Sequence, residues 1–438
     1  MKQMSVFALS ILLFGTAAIA DDWPQWMGPG RDGVWREDGV VRQVPADGLK
    51  VLWRTPVQGG YAGPAVADGR VFVPDYVRRE GTVANNPGTR DELQGQERLV
   101  CLNAKSGSEL WVHSYDRPYN ISYGCGPRVT PAVDGDRVYH LGAEGDLKCL
   151  NVADGEVIWA RQLTKDYKTE TPYWGFSGHP LIDGDKLICL VGGADSVVVA
   201  FDKFTGAEIW SAVSASESGY CPPSIIEAGG VRQLIVWDPE KINSLNPETG
   251  DVYWTEPLKP DYAMSVTAPQ KHGDYLYASG IGNAAKCLKL AQDRPAATLA
   301  WEGKGSTAVY CSNSTPLIVE DTIFGVSCRQ GALRAVDLTS GDRLWENYQP
   351  ITGGRRQGHG TAFLVRNDDV WYLFNEKGDL VLGRMDRDGF ESLGTFHVLE
   401  PTGGAFGRDV VWTHPAFANR CLYARNDKEV VCVSLEAE

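Results

Sequence analysis

The 438-residue sequence predicts an all-β fold, an eight-bladed β-propeller with four antiparallel strands in each blade. Three observations predict it. A hairpin motif recurs at a near-constant spacing, a second pair of strand patterns precedes several copies, and the last repeat lacks an outer strand that the N-terminal end can supply. Repeats of about 40–50 residues with four strands each are typical of propeller blades.

The repeated motif has a small residue, then Asp or Asn two places later, then a Gly preceded by Thr, Ser or Asp, and a Trp four places after that Gly. Its complete copies span residues 101–111, 149–159, 200–210, 244–254 and 335–345. The Asp or Asn side chain can bond the backbone two residues on, and Gly supplies a positive φ, so each copy predicts a β-hairpin. Upstream residues such as 131–139 predict two more strands joined by an Asp-Gly turn.

The tryptophans of the motif have a predicted structural role, in which each ring fills the gap between neighbouring blades. The set predicted to dock in this way is Trp53, Trp111, Trp159, Trp210, Trp254, Trp301 and Trp345. No redox chemistry is expected of these side chains.

The small-residue position counts the blades, because it recurs at 101, 149, 200, 244, 287, 335, 382 and 432. The fifth copy continues to Trp301 through a longer connection, and the seventh has Leu393 where a Trp is expected. The eighth repeat ends too soon after Cys432 to contain an outer strand. Residues 51–57 are expected to supply it, so that strands from both ends of the chain close the ring in one blade and leave no open edge.

The chain is predicted to have three parts. Residues 1–20 have Lys2, an apolar run over 6–14 and a small-residue site at 18–20, which predict a signal peptide cleaved before Asp21 and a periplasmic or secreted protein. Residues 21–48 form an N-terminal extension expected to pack on the propeller of residues 49–438. The apolar run is too short to span a bilayer, and we expect a monomer.

The formal net charge of −14 argues against nucleic acid or an anionic membrane as a partner. Four of the ten cysteines, at 101, 149, 287 and 432, occupy the small-residue position and are expected to be core residues. Cys125, Cys221 and Cys311 precede inner strands, where either free thiols or a bridge is possible. No C-x-x-C spacing or paired histidine motif indicates a metal site.

The motif at residues 200–210 resembles the tryptophan-docking repeat of eight-bladed pyrroloquinoline-quinone (PQQ) propellers. The resemblance extends over about residues 50–438 and includes both quinoprotein dehydrogenases and BamB-like outer-membrane assembly propellers. The segment from Trp23 to Gly33 is similar to the leader of exported PQQ-like propellers of planctomycete type, although Met27 stands where that leader usually has Arg. Quinoprotein alcohol dehydrogenases have adjacent cysteines against the quinone, and this sequence has none.

Three functions remain open at this point. The first is a non-catalytic exported propeller that binds a protein or polymer partner in the envelope, as BamB-like propellers do, with no cofactor. The second is a PQQ- and calcium-dependent dehydrogenase of alcohols or sugars, and the third is a hydrolase or lyase acting on polysaccharide. No catalytic residue is assigned.

Candidate ligand or partner contacts lie on two segments that lead into the inner strands of the seventh and eighth blades. They are Arg355, Arg356, His359, Arg408 and Trp412. Such segments converge on one mouth of the central channel, where Arg, His and aromatic groups could hold an anionic or sugar-like ligand. The alternative is that these arginines pair with acids on the loops of an acidic protein.

Overall fold

A computed structural model describes residues 21–305 and 307–437 of the chain. The predicted signal peptide, residues 1–20, lies outside the described residues. None of the described helices is long and apolar enough to cross a membrane.

Nearly all regular structure is β, as the hairpin repeats predict. The strands of the first half of the chain are β1 (Val51–Pro56), β2 (Ala65–Ala67), β3 (Arg70–Glu80), β4 (Asp91–Asn103), β5 (Glu109–Asp116), β6 (Tyr119–Ile121), β7 (Ala132–Asp134), β8 (Arg137–Leu141), β9 (Asp146–Asn151), β10 (Val157–Gln162), β11 (Leu181–Asp183), β12 (Lys186–Leu190), β13 (Val198–Asp202), β14 (Glu208–Ala212), β15 (Ser224–Ala228), β16 (Val231–Trp237), β17 (Lys241–Leu245) and β18 (Val252–Pro257).

The strands of the second half are β19 (Gln270–His272), β20 (Tyr275–Gly280), β21 (Ala284–Leu290), β22 (Ala297–Glu302), β23 (Leu317–Val319), β24 (Thr322–Ser327), β25 (Ala332–Asp337), β26 (Arg343–Asn347), β27 (Ala362–Asn367), β28 (Val370–Asn375), β29 (Asp379–Met385), β30 (Phe390–His397), β31 (Gly403–Ala405), β32 (Arg408–Val410), β33 (Ala416–Ala418), β34 (Cys421–Arg425) and β35 (Glu429–Ser434). Short helical turns are α1 (Leu163–Asp166), α2 (Gln349–Thr352) and a 3-10 turn at Asp261–Ala263.

These strands form eight antiparallel blades, which confirms the predicted fold. Blades 1 to 7 begin with the inner strands β2, β7, β11, β15, β19, β23 and β27, and each continues outward through the next three strands. Blade 8 has the order β33, β34, β35 and β1. Trp53 of β1 pairs with Cys432 of β35, so the N-terminal strand is the outer strand of the last blade, as predicted. The hairpin β31–β32 lies between blades 7 and 8.

Most of the docking tryptophans link one blade to the next. Six of the seven donate a hydrogen bond from Nε1 to a backbone carbonyl of the following blade, with N to O distances of 2.7–3.2 Å. The acceptors are Ala104 for Trp53, Val152 for Trp111, Lys203 for Trp159, Pro247 for Trp210, Leu338 for Trp301 and Asp386 for Trp345. Trp254 instead donates to Oε1 of Gln233 within its own blade, at 2.8 Å.

Five of the seven rings also need the motif Gly of the next blade. At Gly107, Gly155, Gly206, Gly250 and Gly341, a Cβ would come within 2.5–2.7 Å of the preceding blade's Trp ring. The Gly therefore has two functions, because its φ of 71–78° turns the hairpin and its missing side chain admits the ring. This explains why Gly and Trp recur together in the sequence.

Blade 7 departs from the sequence-based register by one residue. Leu382 pairs with Gly394, and not with Leu393, at the position that Trp occupies in the other blades. A Cβ at Gly394 would lie 2.6 Å from the Cβ of Val44. A side chain of the N-terminal extension thus packs where this blade has no tryptophan.

All ten cysteines lie in the described region and are free thiols. Cys101, Cys149, Cys287 and Cys432 are fully buried in the third strands of their blades, consistent with the repeat pattern. Burial raises the pKa of Cys101, Cys149 and Cys287 to about 12. These thiols are therefore protonated core groups at neutral pH.

Candidate functional site: the channel and its mouth

The N-terminal extension enters the central channel at the end where the inner strands finish, since Asp21 and Glu37 both bond the β33–β34 turn. The backbone of Trp23 exchanges two hydrogen bonds with Val66 of blade 1, and the carbonyl of Pro24 accepts from Val133 of blade 2. Farther along, the Trp35 amide donates to the carbonyl of Arg366 in blade 7. Contacts of one segment with inner strands all around the ring place it on the propeller axis.

Arg31 attaches the extension to the inner strands of the propeller. Its guanidinium donates to the backbone carbonyls of His179, Pro180 and Pro223 at 2.8–3.2 Å, at the starts of the inner strands of blades 3 and 4. It also lies 5.2 Å from the centre of the Trp26 ring. Arg31 therefore fixes the extension to two blades through main-chain groups, independently of their side chains.

Trp26 meets two histidines at the channel axis. Its ring stacks on His179 at 5.2 Å, and its Nε1 donates to Nε2 of His414 at 3.3 Å. Nδ1 of His179 accepts from the backbone amide of Thr130 at 3.1 Å. Both bonds need an unprotonated ring nitrogen, and burial agrees with this, because it lowers the pKa of His414 to about 3 and that of His179 well below its usual range.

A small cavity lies beside the extension. It is lined by Trp23, Met27, Phe363 and His414 and has a volume of about 10 Å³, which is enough for a single water molecule. At this level the Trp23, Trp26 and Met27 side chains of the extension are buried.

We call the opening at the N-terminal ends of the inner strands the mouth. Glu376, in the β28–β29 turn, is buried there with 2% of its surface exposed. Its carboxylate accepts from Nε2 of Gln357 at 2.7 Å, from Nε and Nη2 of Arg408 at 3.0 and 3.2 Å, and from Nε1 of Trp412 at 3.2 Å. One carboxylate therefore binds three segments of the mouth together.

The hairpin β31–β32 covers part of the mouth. Phe406 at its tip stacks on His359, with ring centres 4.2 Å apart and planes 9° apart, yet 46% of the phenyl remains exposed. Below it, Ala405 and Val410 pack with Tyr123, and Trp412 lies 5.9 Å from the Tyr123 ring. The tip thus presents an aromatic face on a base that is packed and hydrogen-bonded.

The five sequence-predicted contacts divide into two groups. His359, Arg408 and Trp412 come together around Glu376 and Phe406, and Arg408 and Trp412 are engaged by Glu376. Arg355 and Arg356 lie on the exposed part of the preceding loop, where the Arg356 guanidinium is 5.9 Å from the Tyr348 ring. The first group builds the surface, whereas the second is available to a partner.

Glu376 was not identified from the sequence. A Glu in a four-residue turn, Asn375 to Gly378, is ordinarily solvated, and no motif sets it apart. Its burial results from side chains that arrive 19 to 36 positions away along the chain. Only the folded structure shows that Gln357, Arg408 and Trp412 all bond this carboxylate.

A second buried carboxylate joins blades 1 and 2. Glu97 of β4 is fully buried and accepts from the hydroxyls of Tyr115 and Tyr119 and from the amide of Ala143, and it contacts Nε2 of His140 at 3.0 Å. Burial alone would raise the pKa of Glu97, but the bonds from His140 and the tyrosines outweigh it and lower the pKa. β3 and β4 extend as a long hairpin whose base contains this buried polar network.

Comparison with known proteins agrees with the propeller fold. The family of the outer membrane protein assembly factor BamB matches residues 95–347, 194–386 and 238–437. The chain belongs to the BamB family. The second and third matches begin 44 residues apart, which equals the spacing between Ala200 and Ser244 and shows that the match shifts by one blade.

Individual relatives within and beyond this family are distant. The BamB of Yersinia pestis is 25% identical over 293 residues, which are 64% of this chain and 71% of that protein. The crystal structure of BamB from Moraxella catarrhalis has a TM-score of 0.57 at 17% identity, covering 89% of this chain and 98% of that one. Quinohemoprotein alcohol dehydrogenase from Comamonas testosteroni has a TM-score of 0.58 at 13% identity, covering 95% and 81%. The two solved structures show the fold alone.

Proposed function

We propose that this protein is an exported, non-catalytic scaffold that binds a protein partner in the cell envelope through the mouth of its propeller. The observation that supports the proposal most is the N-terminal extension on the channel axis. Because this segment occupies the interior, recognition falls to the surface around the mouth. The name of the BamB relatives, outer membrane protein assembly factor, supports a protein partner in the envelope.

The exposed groups of the mouth suit a macromolecular partner. Phe406 offers an apolar anchor, and the packed rings and Glu376 beneath it hold it in place. Aromatic and arginine side chains on such a preformed base are the groups that most often dominate binding energy at protein interfaces. Polysaccharide stays as the alternative polymer, since aromatic faces also suit sugars.

The second candidate function, a quinone-dependent dehydrogenase, is favoured by the likeness in fold to quinohemoprotein alcohol dehydrogenase. The residues at the channel axis do not fit PQQ, a planar tricarboxylate. Trp26 lies on this axis, where it stacks on His179 and bonds His414. Arg31, the cation there, already bonds three backbone carbonyls.

A titration separates the two functions. Purified protein is titrated with PQQ in the presence of Ca²⁺ and followed by absorbance and thermal shift. The scaffold proposal expects neither a saturable absorbance change nor a rise in melting temperature. Stoichiometric PQQ binding, accompanied by dye-linked oxidation of an alcohol or sugar, would refute it and establish the enzyme.

A further inference from the structure

One part of the mouth concentrates positive charge on an otherwise acidic protein. Arg355 and Arg356 follow α2, Arg329 lies in the β24–β25 turn, and Lys377 lies in the β28–β29 turn. All four side chains are exposed. Within residues 21–305 and 307–437, none of them forms an ion pair with a carboxylate. We call these four residues the basic rim.

Backbone contacts hold the basic rim together. The amide of Gln357 donates to the carbonyl of Gln330 at 2.9 Å, and the amide of His359 donates to the carbonyl of Cys328 at 2.5 Å. The loop of Arg355 and Arg356 therefore lies on the turn that contains Arg329. Lys377 reaches the same loop, since its Nζ would lie 3.1 Å from a Cβ at Gly353. The four cations therefore come from three segments that are fixed against one another.

The buried carboxylate of the mouth does not neutralise this charge. Glu376 is buried and already bonds Arg408, Gln357 and Trp412. The basic rim contrasts with the chain as a whole, which has a formal net charge of −14. Unpaired like charges repel one another, and a bound anionic group removes that cost.

We infer that the basic rim, together with Phe406, is the docking surface for an acidic segment of a protein partner. Carboxylates of that segment pair with Arg329, Arg355 and Arg356, and an apolar side chain packs on the exposed face of Phe406. The cations lie on exposed loops and turns. Such a surface suits a macromolecular segment better than a small anion, which is usually held in a concave pocket. This inference rests on the proposed function and adds the chemistry of the partner.

The test uses the mature protein and two short fluorescein-labelled peptides. The acidic peptide consists of Glu and Ser with one central Leu, and the matched peptide has Gln in place of Glu. We expect fluorescence anisotropy to show that the acidic peptide binds at least tenfold more tightly than the Gln peptide. Raising the salt from about 0.01 M to about 0.15 M should weaken binding, because it shortens the screening length from about 30 Å to about 8 Å.

Charge reversal places the binding on the basic rim. Arg355→Glu with Arg356→Glu should lower the affinity for the acidic peptide by tenfold or more. The matched control, Lys105→Glu with Arg294→Glu, makes the same change in net charge on exposed turns at the opposite end of the strands and should leave affinity within twofold. Melting temperatures of both variants should stay close to that of the parent protein.

Three results would overturn the inference. The first is equal binding of the Glu and Gln peptides, and the second is an equal loss in the control variant. The third is binding of polygalacturonate or of phosphatidylglycerol vesicles, but not of the peptide, at the basic rim. A photo-cross-linker placed at residue 406 separates this inference from the proposed function. If an envelope protein still cross-links there in the Arg355→Glu, Arg356→Glu variant, the scaffold function stands and the acidic partner is refuted.

Discussion

Replacing Trp210 by Ala tests the physical basis of the repeat. Trp210 is 8% exposed, its ring packs on Gly250 of the next blade, and its Nε1 bonds the carbonyl of Pro247 at 3.2 Å. An aromatic side chain buries roughly 150–250 Å², which at about 25 cal/mol/Å² stabilises the fold by about 4–6 kcal/mol. The burial retained by Ala reduces this, so we expect the free energy of unfolding to fall by about 3–5 kcal/mol.

The assay is urea unfolding of both proteins, followed by circular dichroism and extrapolated to water. Ile209→Ala is the matched control, because Ile209 precedes Trp210 on the same strand and is 47% exposed. It should change the free energy of unfolding by about 0.5 kcal/mol or less. A loss below about 1 kcal/mol for Trp210→Ala, or one equal to that of the control, would show that the ring does not hold neighbouring blades together.

Three further predictions follow from other buried contacts. Glu97→Gln should lower the free energy of unfolding by about 3 kcal/mol or more, because it breaks a buried network of hydrogen bonds. Glu92→Gln, on the exposed face of the same strand, should leave it nearly unchanged. Equal urea midpoints for the two variants would contradict this. Gly394→Ala should destabilise the fold through a clash with Val44, and Gly389→Ala, where a Cβ meets nothing within 4 Å, should not; thermal melts of the two variants compare them. The fold lowers the pKa values of His179 and His414. Their contribution to the free energy of unfolding is therefore complete above their pKa in the unfolded chain, about 6.5, and is lost as the pH falls towards about 3. Lowering the pH from 7.5 to 5.5 should therefore reduce the free energy of unfolding by about 1–3 kcal/mol. In a His179→Asn, His414→Gln variant the free energy of unfolding should depend less steeply on pH. An unchanged pH dependence would show that these two histidines do not have lowered pKa values in the fold.

The blades were predictable from the sequence because their signals are local. Turn chemistry and two-residue alternation define each hairpin within eleven positions, as at Ala200 to Trp210. Closure by β1 was also predictable, because Trp53 and its strand repeat the outer half of the motif. The register of blade 7 was not, because Leu382 pairs with Gly394, twelve positions on, whereas the small residue of each complete motif pairs with a Trp ten positions on.

The site was less predictable because its parts depend on contacts between distant segments. No repeat predicts the path of the extension in the channel, which is defined by long-range contacts such as those of Arg31 and Trp26 with three blades. Arg408 was recognisable as a mouth residue, but its pairing with Glu376 required the position of a turn 32 residues earlier. Sequence spacing identified the region, whereas long-range packing decided which cations stay free.

The scaffold function is tested most directly by photo-cross-linking in cells. p-Benzoylphenylalanine replaces Phe406 at the mouth and, as a matched control, Phe204, which is 41% exposed in the β13–β14 turn at the opposite end of the strands. We predict that irradiation joins residue 406, and not residue 204, to a discrete envelope protein, and that unlabelled acidic peptide competes with this product. Equal cross-linking at both positions, or none at 406, would contradict a partner-binding mouth.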